Sequence, residues 1–339
     1  MSVARPSATP KRQGERGAAR YEVGIAGAGQ LARMTCLAAW PLGIRVAVLG
    51  RPGEPSAPMA AGLVEGDWKD AEAVAALGRE VGVVTLENEF VDAAALAAVE
   101  AAGTLVRPGA SALAVVQDKA LQKEMLREAG LPVPRFVVAE RREDLEAAGR
   151  DLGWPLMLKA RKLGYDGYGN ATCPDPAAAA KALARLDAGE GVLVEEMVPF
   201  ERELAAMVAR RPAGEEAVYP VVATVQRNHV CHTVVAPAPI APGAAARAAE
   251  IARAAAAAAD GLGVTGVEMF LLAGGAVLVN ELAPRPHNSG HYTIEACETS
   301  QFENHLRGVL DLPLGDVSMR APAAAMVNLL GSAAGPARP

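Results

Sequence analysis

WPLMLKARKLGYDGYGN, Trp154–Asn170, sets a short apolar strand bearing Lys159 just ahead of a glycine-rich loop: Gly164, Tyr165, Asp166, Gly167, Tyr168, Gly169, Asn170. A lysine on a strand that reads as buried needs an anionic partner, because an unpaired buried charge is costly. Three glycines in seven residues give a loop whose backbone N–H groups can wrap phosphate oxygens, mobile when empty and ordered by its ligand. The loop alone fits a plain surface hairpin equally well. Lysine and loop together point to a grip on a nucleoside triphosphate. The loop is not a Walker A turn, since G-x-x-x-x-G-K-[ST] is absent.

Upstream, apolar strands at Tyr21–Ala26, Arg45–Gly50 and Val81–Glu87 alternate with helical patterns, which predicts a parallel sheet with helices on both faces. Gly27 and Gly29 close the first strand and point to phosphate at a helix N-terminus. Ala32 stands where a dinucleotide fingerprint wants its third glycine, and Gly50 where an acid would hold a ribose. A small phosphate-bearing ligand fits that crevice as well as a dinucleotide. From Gln117 to Gly130 the charged periodicity predicts one amphipathic helix, and Pro132 and Pro134 then enforce an extended connection.

Downstream, strands are expected at 191–198, 203–209, 218–226 and 230–236, with an alanine-rich helix over 243–260. Two closing strands, GVTGVEMFLL and AVLVNELA, place Glu268 and Glu281 side by side. Acids in apolar strands are costly unless paired or metal-bound, so with Asn280 they suit magnesium on nucleotide phosphates, against two solvated edge acids. NELAPRPHNSGHYT, Asn280–Thr293, gathers an acid, an arginine, two amides and two histidines around Gly290 and two prolines. Such a segment is expected to bury little apolar surface and to hold a ligand with its polar groups. His287 and His291 stand four apart, but the Asn-Ser-Gly between them opposes a helical zinc pair and favours a substrate loop. His305 is expected on a helix surface.

The net charge of −6 over 339 residues argues against a generic nucleic-acid binder. The hydrophobic share of 51% is largely alanine and contains no apolar run of membrane-spanning length. Four scattered cysteines without a C-x-x-C pair fit a reducing compartment, and the basic first twenty residues lack a signal-peptide core, so a cytoplasmic protein is expected.

In order, GAGQLARM, TLENEF, QDKALQKEMLREAGLPVPRF, the strand lysine with GYDGYGN, VEEMVPFERE, VEMF, NELAPRPHNSGHYT and TSQFENHL closely resemble the 5-(carboxyamino)imidazole ribonucleotide synthases, ATP-grasp enzymes of purine biosynthesis. The similarity runs from about Tyr21 to Gly331. It implies an ATP-grasp fold, α/β and α+β: a tail over 1–20, a Rossmann-like domain over 21–113, a lid domain over 114–198 and a large domain over 199–339. It implies that ATP phosphorylates bicarbonate to carboxyphosphate, which carboxylates the exocyclic amine of 5-aminoimidazole ribonucleotide, and that the protein is a homodimer. Lys119 and Lys159 would touch the nucleotide phosphates, with Gly164–Asn170 as the flap. Glu195, Glu196, Met197 and Val198 would form the adenine hinge, Glu203 would hold the ribose, and Gln226 would contact the nucleotide. Glu268 and Glu281 would ligate magnesium beside Asn280. Arg285, His287 and Asn288 would face bicarbonate, carboxyphosphate and the ribonucleotide, together with Gly29 and Gln30.

Departures from the family pattern are Tyr168 and Asn170 at flap positions usually basic and glutamine, Gln226 in place of a histidine, and Lys119 in place of an arginine. Relatives usually continue past the position of Pro339 into a segment whose basic residues bind the ribonucleotide phosphate. Two other readings fit the residues: a formate-dependent transformylase of the same fold, disfavoured by HNSGH, and a nucleotide-binding homologue without catalysis.

Overall fold

The computed structural model describes residues 19–162, 169–227 and 230–329, arranged around three sheets. The first run of elements is β1 (Tyr21–Ala26), α1 (Gln30–Ala39), β2 (Val46–Gly50), β3 (Gly62–Glu65), α2 (Ala71–Glu80), β4 (Val81–Leu86), α3 (Ala93–Ala101), β5 (Leu105–Val106) and α4 (Ala110–Gln117). Its strands form a parallel sheet in the order β3-β2-β1-β4-β5, as expected from the alternating pattern. Successive strand residues face opposite sides. Leu49, Val84 and Leu86 pack with Leu77 and Leu96, whereas Val23, Ile25 and Val48 pack with Cys36.

The next elements are α5 (Lys119–Glu128), β6 (Phe136–Ala139), α6 (Arg142–Leu152), β7 (Leu156–Ala160), β8 (Asn170–Cys173), α7 (Pro176–Leu186) and β9 (Val192–Glu196). Their four strands pair antiparallel in the order β6-β9-β7-β8 under α6 and α7. The expected single helix over 117–130 is two: α4 ends at Gln117, and Asp118 starts a new helix by accepting from the N–H groups of Ala120 (2.9 Å) and Leu121 (3.3 Å).

The last elements are β10 (Phe200–Arg210), β11 (Glu216–Val218), β12 (Val222–Arg227), β13 (Val230–Ala236), α8 (Pro242–Ala258), β14 (Gly263–Leu272), β15 (Val277–Ala283), α9 (Thr293–Ala296), α10 (Gln301–Val309) and β16 (Ala324–Val327). They form an antiparallel sheet ordered β15-β14-β10-β12-β13-β16, with β11 on β10. The alanines of α8 let it lie flat on one face: Ala244, Ala248, Ala252, Ala255 and Ala256 are all buried there. The strand expected over 218–226 is interrupted. Pro220 brings no N–H to a ladder, and Tyr219 turns inward to donate to the Thr299 carbonyl at 3.0 Å.

Two expectations about exposure are corrected. Residues 280–293 are not a loop poor in burial, since Ala283, Pro284, Pro286, Ser289, Gly290, Tyr292 and Thr293 are all buried. His305 is not a surface residue. It lies 1% exposed where α10 meets the first sheet; Nδ1 accepts from Val264 N–H at 3.0 Å and the other ring nitrogen sits 2.9 Å from Thr85 Oγ1. Helix amphipathicity alone could not show that α10 is covered on both sides, by β14 and by α1.

Candidate active site

Lys159 does find its anion. Its Nζ lies 2.6 Å from Glu195 Oε2 at the end of β9 and donates to Asn280 Oδ1 on β15 at 3.0 Å. The other Glu195 oxygen faces Lys123 Nζ from α5 at 2.9 Å, an ion pair without hydrogen-bond alignment, while Lys123 also donates to the Val279 carbonyl at 3.2 Å. All three side chains are buried. Burial pushes Lys123 down to about 8, and burial would raise Glu195, but Lys159 and Lys123 together hold it down to about 2. One carboxylate thus joins two ammonium groups, and the two lysines in turn reach β15 of the larger sheet.

Glu268 and Glu281 are direct partners in the β14–β15 register, just where the ladder shifts. Burial, then the charge of Glu281, pushes Glu268 up to about 7. Glu281 is held below its ordinary value because the ammonium groups of Lys119 and Lys159 outweigh its burial, and Lys119 Nζ forms an ion pair with it. Two facing carboxylates whose second charge is resisted are a fit for a divalent cation. Among the described residues no group of three or more His, Cys, Asp or Glu could hold one alone. The remaining ligands would come from phosphate oxygens and water, which suits magnesium.

Beyond Ala283 the chain turns back toward the first sheet. Arg285 forms a two-point pair with Glu89, from the loop after β4, through Nε to Oε2 and Nη2 to Oε1 (3.1 Å), and its Nη1 donates to the Pro286 carbonyl at 3.1 Å. His287 Nδ1 accepts from Ser289 N–H at 3.3 Å, so Nε2 carries the proton and points at Glu268 Oε1, 3.5 Å away. Burial, then the charge of Arg285, lowers His287 to about 4, so the ring is neutral near pH 7. Asn288 Oδ1 is buried without a hydrogen-bond partner among the described residues. A cavity of about 210 Å³ opens beside these groups, lined by Glu89, Phe90, Lys119, Arg161, Lys162 and Glu281.

The other expected residues are placed as follows. Glu196 pairs with Arg135 (2.8 Å), Met197 is exposed, and Val198 leads into β10. Glu203 sits on β10 opposite Phe270, and burial, then the charge of Glu268, pushes it up to about 7. Gln226 is half-buried on β12. Gly169 and Asn170 begin the return strand, with the Gly169 carbonyl accepting from Ala160 N–H at 2.7 Å; Gly164, Tyr165, Asp166, Gly167 and Tyr168 lie outside the described residues. Gln30 is exposed at the start of α1.

The Gly27–Gly29 turn is a correction. The N-terminus of α1 is taken by the Glu87 carboxylate, which accepts from the N–H groups of Gly29 (2.6 Å), Leu31 (3.2 Å) and Ala32 (3.3 Å). A side chain at either glycine would overlap that carboxylate. These glycines therefore admit an internal anion at the N-terminus of α1. Sequence reasoning also gave no role to Lys123 or Glu89. Both sit in quoted motifs, but only the fold shows which acid meets which base.

The ATP-grasp domain family matches residues 124–302, and the ribonucleotide synthetase preATP-grasp domain matches 21–117. The N5-carboxyaminoimidazole ribonucleotide synthase of Synechococcus elongatus is 45% identical over 311 residues, 91% of this chain and 78% of that protein. The phosphoribosylaminoimidazole carboxylase of Schizosaccharomyces pombe is 40% identical over 317 residues, 91% of this chain but 57% of that longer protein. A crystal structure of N5-carboxyaminoimidazole synthase from Aspergillus clavatus, in complex with ADP and 5-aminoimidazole ribonucleotide, superposes with a TM-score of 0.86 at 39% identity, covering 92% of this chain and 83% of that one. With relatives of this identity along nearly its whole length, the chain belongs to the N5-carboxyaminoimidazole ribonucleotide synthase family of ATP-grasp proteins.

Proposed function

We propose that the chain carries out ATP-dependent carboxylation of 5-aminoimidazole ribonucleotide by bicarbonate, releasing ADP and phosphate in purine biosynthesis. The observation that carries this is the meeting, in one cleft, of the Lys119–Glu281 and Arg285–Glu89 pairs with Glu268 and His287. Phosphoryl transfer demands cations around the migrating charge, and carboxyl transfer demands a planar donor for a planar anion. The two demands are served by neighbouring groups on β15 and the loop after it.

In this reading Lys119 and Lys159 hold the nucleotide phosphates, residues 195–198 the adenine, and Glu203 the ribose, with Gln226 and Asn170 at the edge of the nucleotide. Glu268 and Glu281, with Asn280, would hold magnesium, which when bound neutralises charge on the phosphate oxygens. Bicarbonate oxygen accepts the γ-phosphoryl group as the bond to ADP breaks. The ribonucleotide amine then forms its bond to the carboxyl carbon, phosphate leaves with the electron pair of the broken C–O bond, and the proton lost from the amine passes to the departing phosphate. Arg285 offers two N–H groups to the carboxyl oxygens, and neutral His287 offers one more donor. Asn288, Gly29 and Gln30 face the ribonucleotide.

The three sheets are read as three units divided near residues 113 and 198. No helix among the described residues is long and apolar enough to cross a membrane; a cytoplasmic homodimer is part of the proposal. The test is ADP release with and without 5-aminoimidazole ribonucleotide and bicarbonate. Release that needs both supports the reading, release with formate in place of bicarbonate supports a transformylase, and nucleotide binding without stimulated release supports a homologue without catalysis.

A further inference from the structure

Gln301, the first residue of α10, is fully buried and spends its whole side chain on the 287–291 loop. Its Oε1 accepts from His287 N–H at 3.0 Å, and its Nε2 donates to the His287 carbonyl at 2.8 Å. This pairing leaves no freedom to exchange the amide's ends, since the reverse orientation would set donor against donor and acceptor against acceptor. The second hydrogen on Nε2 then faces His291 Nδ1 at 3.1 Å, so that nitrogen must accept. His291 is left with its proton on Nε2, a buried atom with no hydrogen-bond partner among the described residues.

The surroundings lock this arrangement. Thr293 Oγ1 accepts from Gln301 N–H at 2.9 Å and donates to the Gly290 carbonyl at 2.6 Å. A side chain at residue 290 would overlap Gln301 Oε1 and Met207 Cγ, so glycine there admits the amide. The His291 ring lies against Phe302, with centroids 5.6 Å apart.

We propose that Gln301 is a positioning residue for the carboxyl-transfer half of the reaction: one amide fixes the backbone of His287 on both sides and sets His291 as a neutral imidazole protonated at Nε2. The His287 ring is thereby aimed at Glu268, and the His291 Nε2–H becomes a buried donor without an acceptor among the described residues. The role rests on the proposed carboxylation, but the hydrogen-bond logic does not.

The test has two arms. Nitrogen-15 NMR of the wild-type protein should show His291 as the Nε2–H tautomer; an Nδ1–H tautomer overturns the proposal whatever the activity. In Gln301→Glu the carboxylate can accept but cannot donate, so it opposes the His287 carbonyl, and His291 should move its proton to Nδ1. Product formation should fall about 10²-fold in kcat, the size expected when a reacting group is misplaced by about an ångström, with KM for ATP unchanged. Wild-type kcat in the variant overturns the proposal, as does a parallel rise in KM for ATP, which would mark a general loss of structure. If the variant does not fold, the wild-type tautomer still decides. A wild-type protein that shows the Nε2–H tautomer but no bicarbonate-dependent turnover defeats the proposed function and leaves the hydrogen-bond assignment standing.

Discussion

Arg285 and Glu89 form a two-point ion pair that joins the large antiparallel sheet to the loop after β4 of the parallel one. Glu89 is itself held from behind, because Gln117 Nε2 donates to its carbonyl at 2.7 Å and to that of Val91 at 2.6 Å. The guanidinium is thus oriented before any substrate arrives. Arg285→Lys keeps the charge but loses the planar fork. ATP binding, followed by calorimetry, should be unchanged, while coupled product formation should drop about 10²-fold. Normal turnover would refute the placing of carboxyl transfer at this loop.

Glu281 faces Glu268 in register and pairs with Lys119. Glu281→Gln removes one of two carboxylates available to a cation and leaves the backbone ladder untouched. Turnover should fall on the order of 10²-fold or more, about 3 kcal/mol of transition-state stabilisation. Far-ultraviolet circular dichroism should remain that of the wild type. ADP formation within a few-fold of normal would remove these acids from the metal role.

The strands, the parallel sheet and the facing acids could be read from the chain because they rest on local periodicity. Glu268 and Glu281 were placed side by side from two apolar strands alone, and the register agrees. Contacts that cross between sheets could not be read that way. The Glu87 carboxylate caps α1 because a residue 58 positions away folds onto Gly29. His305 looked like a surface residue because its helix is amphipathic, yet its face is covered by a strand 220 residues earlier. Which base meets Glu195 is likewise fixed by packing, since Lys123 and Lys159 both stand on elements that fit a nucleotide site.

The Lys123–Glu195–Lys159 cluster makes a prediction about stability. Lys123 is 2% exposed, and Lys123→Met would leave Glu195 with one cation in a buried site. Breaking a buried pair by removing one partner costs about 3–5 kcal/mol. Urea unfolding should show a loss of that order, and the double variant Lys123→Met with Glu195→Gln should recover part of it by removing the stranded charge. A single variant as stable as the wild type would show that Lys159 alone satisfies the carboxylate.

His305 couples folding to pH. Burial lowers it from an ordinary value of 6.5 to about 4, and both ring nitrogens are engaged, by Val264 N–H and Thr85 Oγ1. The accepting Nδ1 requires the neutral ring, so protonation breaks the contact that holds α10 to β14 of the antiparallel sheet. The sign follows from where protons bind. Between 6.5 and 4 the unfolded chain takes up a proton that the folded one refuses, so the stability is fully present above 6.5 and is lost as pH falls toward 4. From about pH 7.5 to about pH 5.5 this one side chain should cost about 1 kcal/mol. His287 and His291, also lowered to about 4, act in the same direction, so the whole protein should lose more. His305→Gln keeps an acceptor for Val264 and a donor for Thr85 without a titrating ring. Urea unfolding at the two pH values should therefore show a dependence shallower by about 1 kcal/mol in the variant. Equal slopes in the two proteins would mean that the ring takes up its proton without disturbing the fold, and that α10 is held to β14 by other contacts.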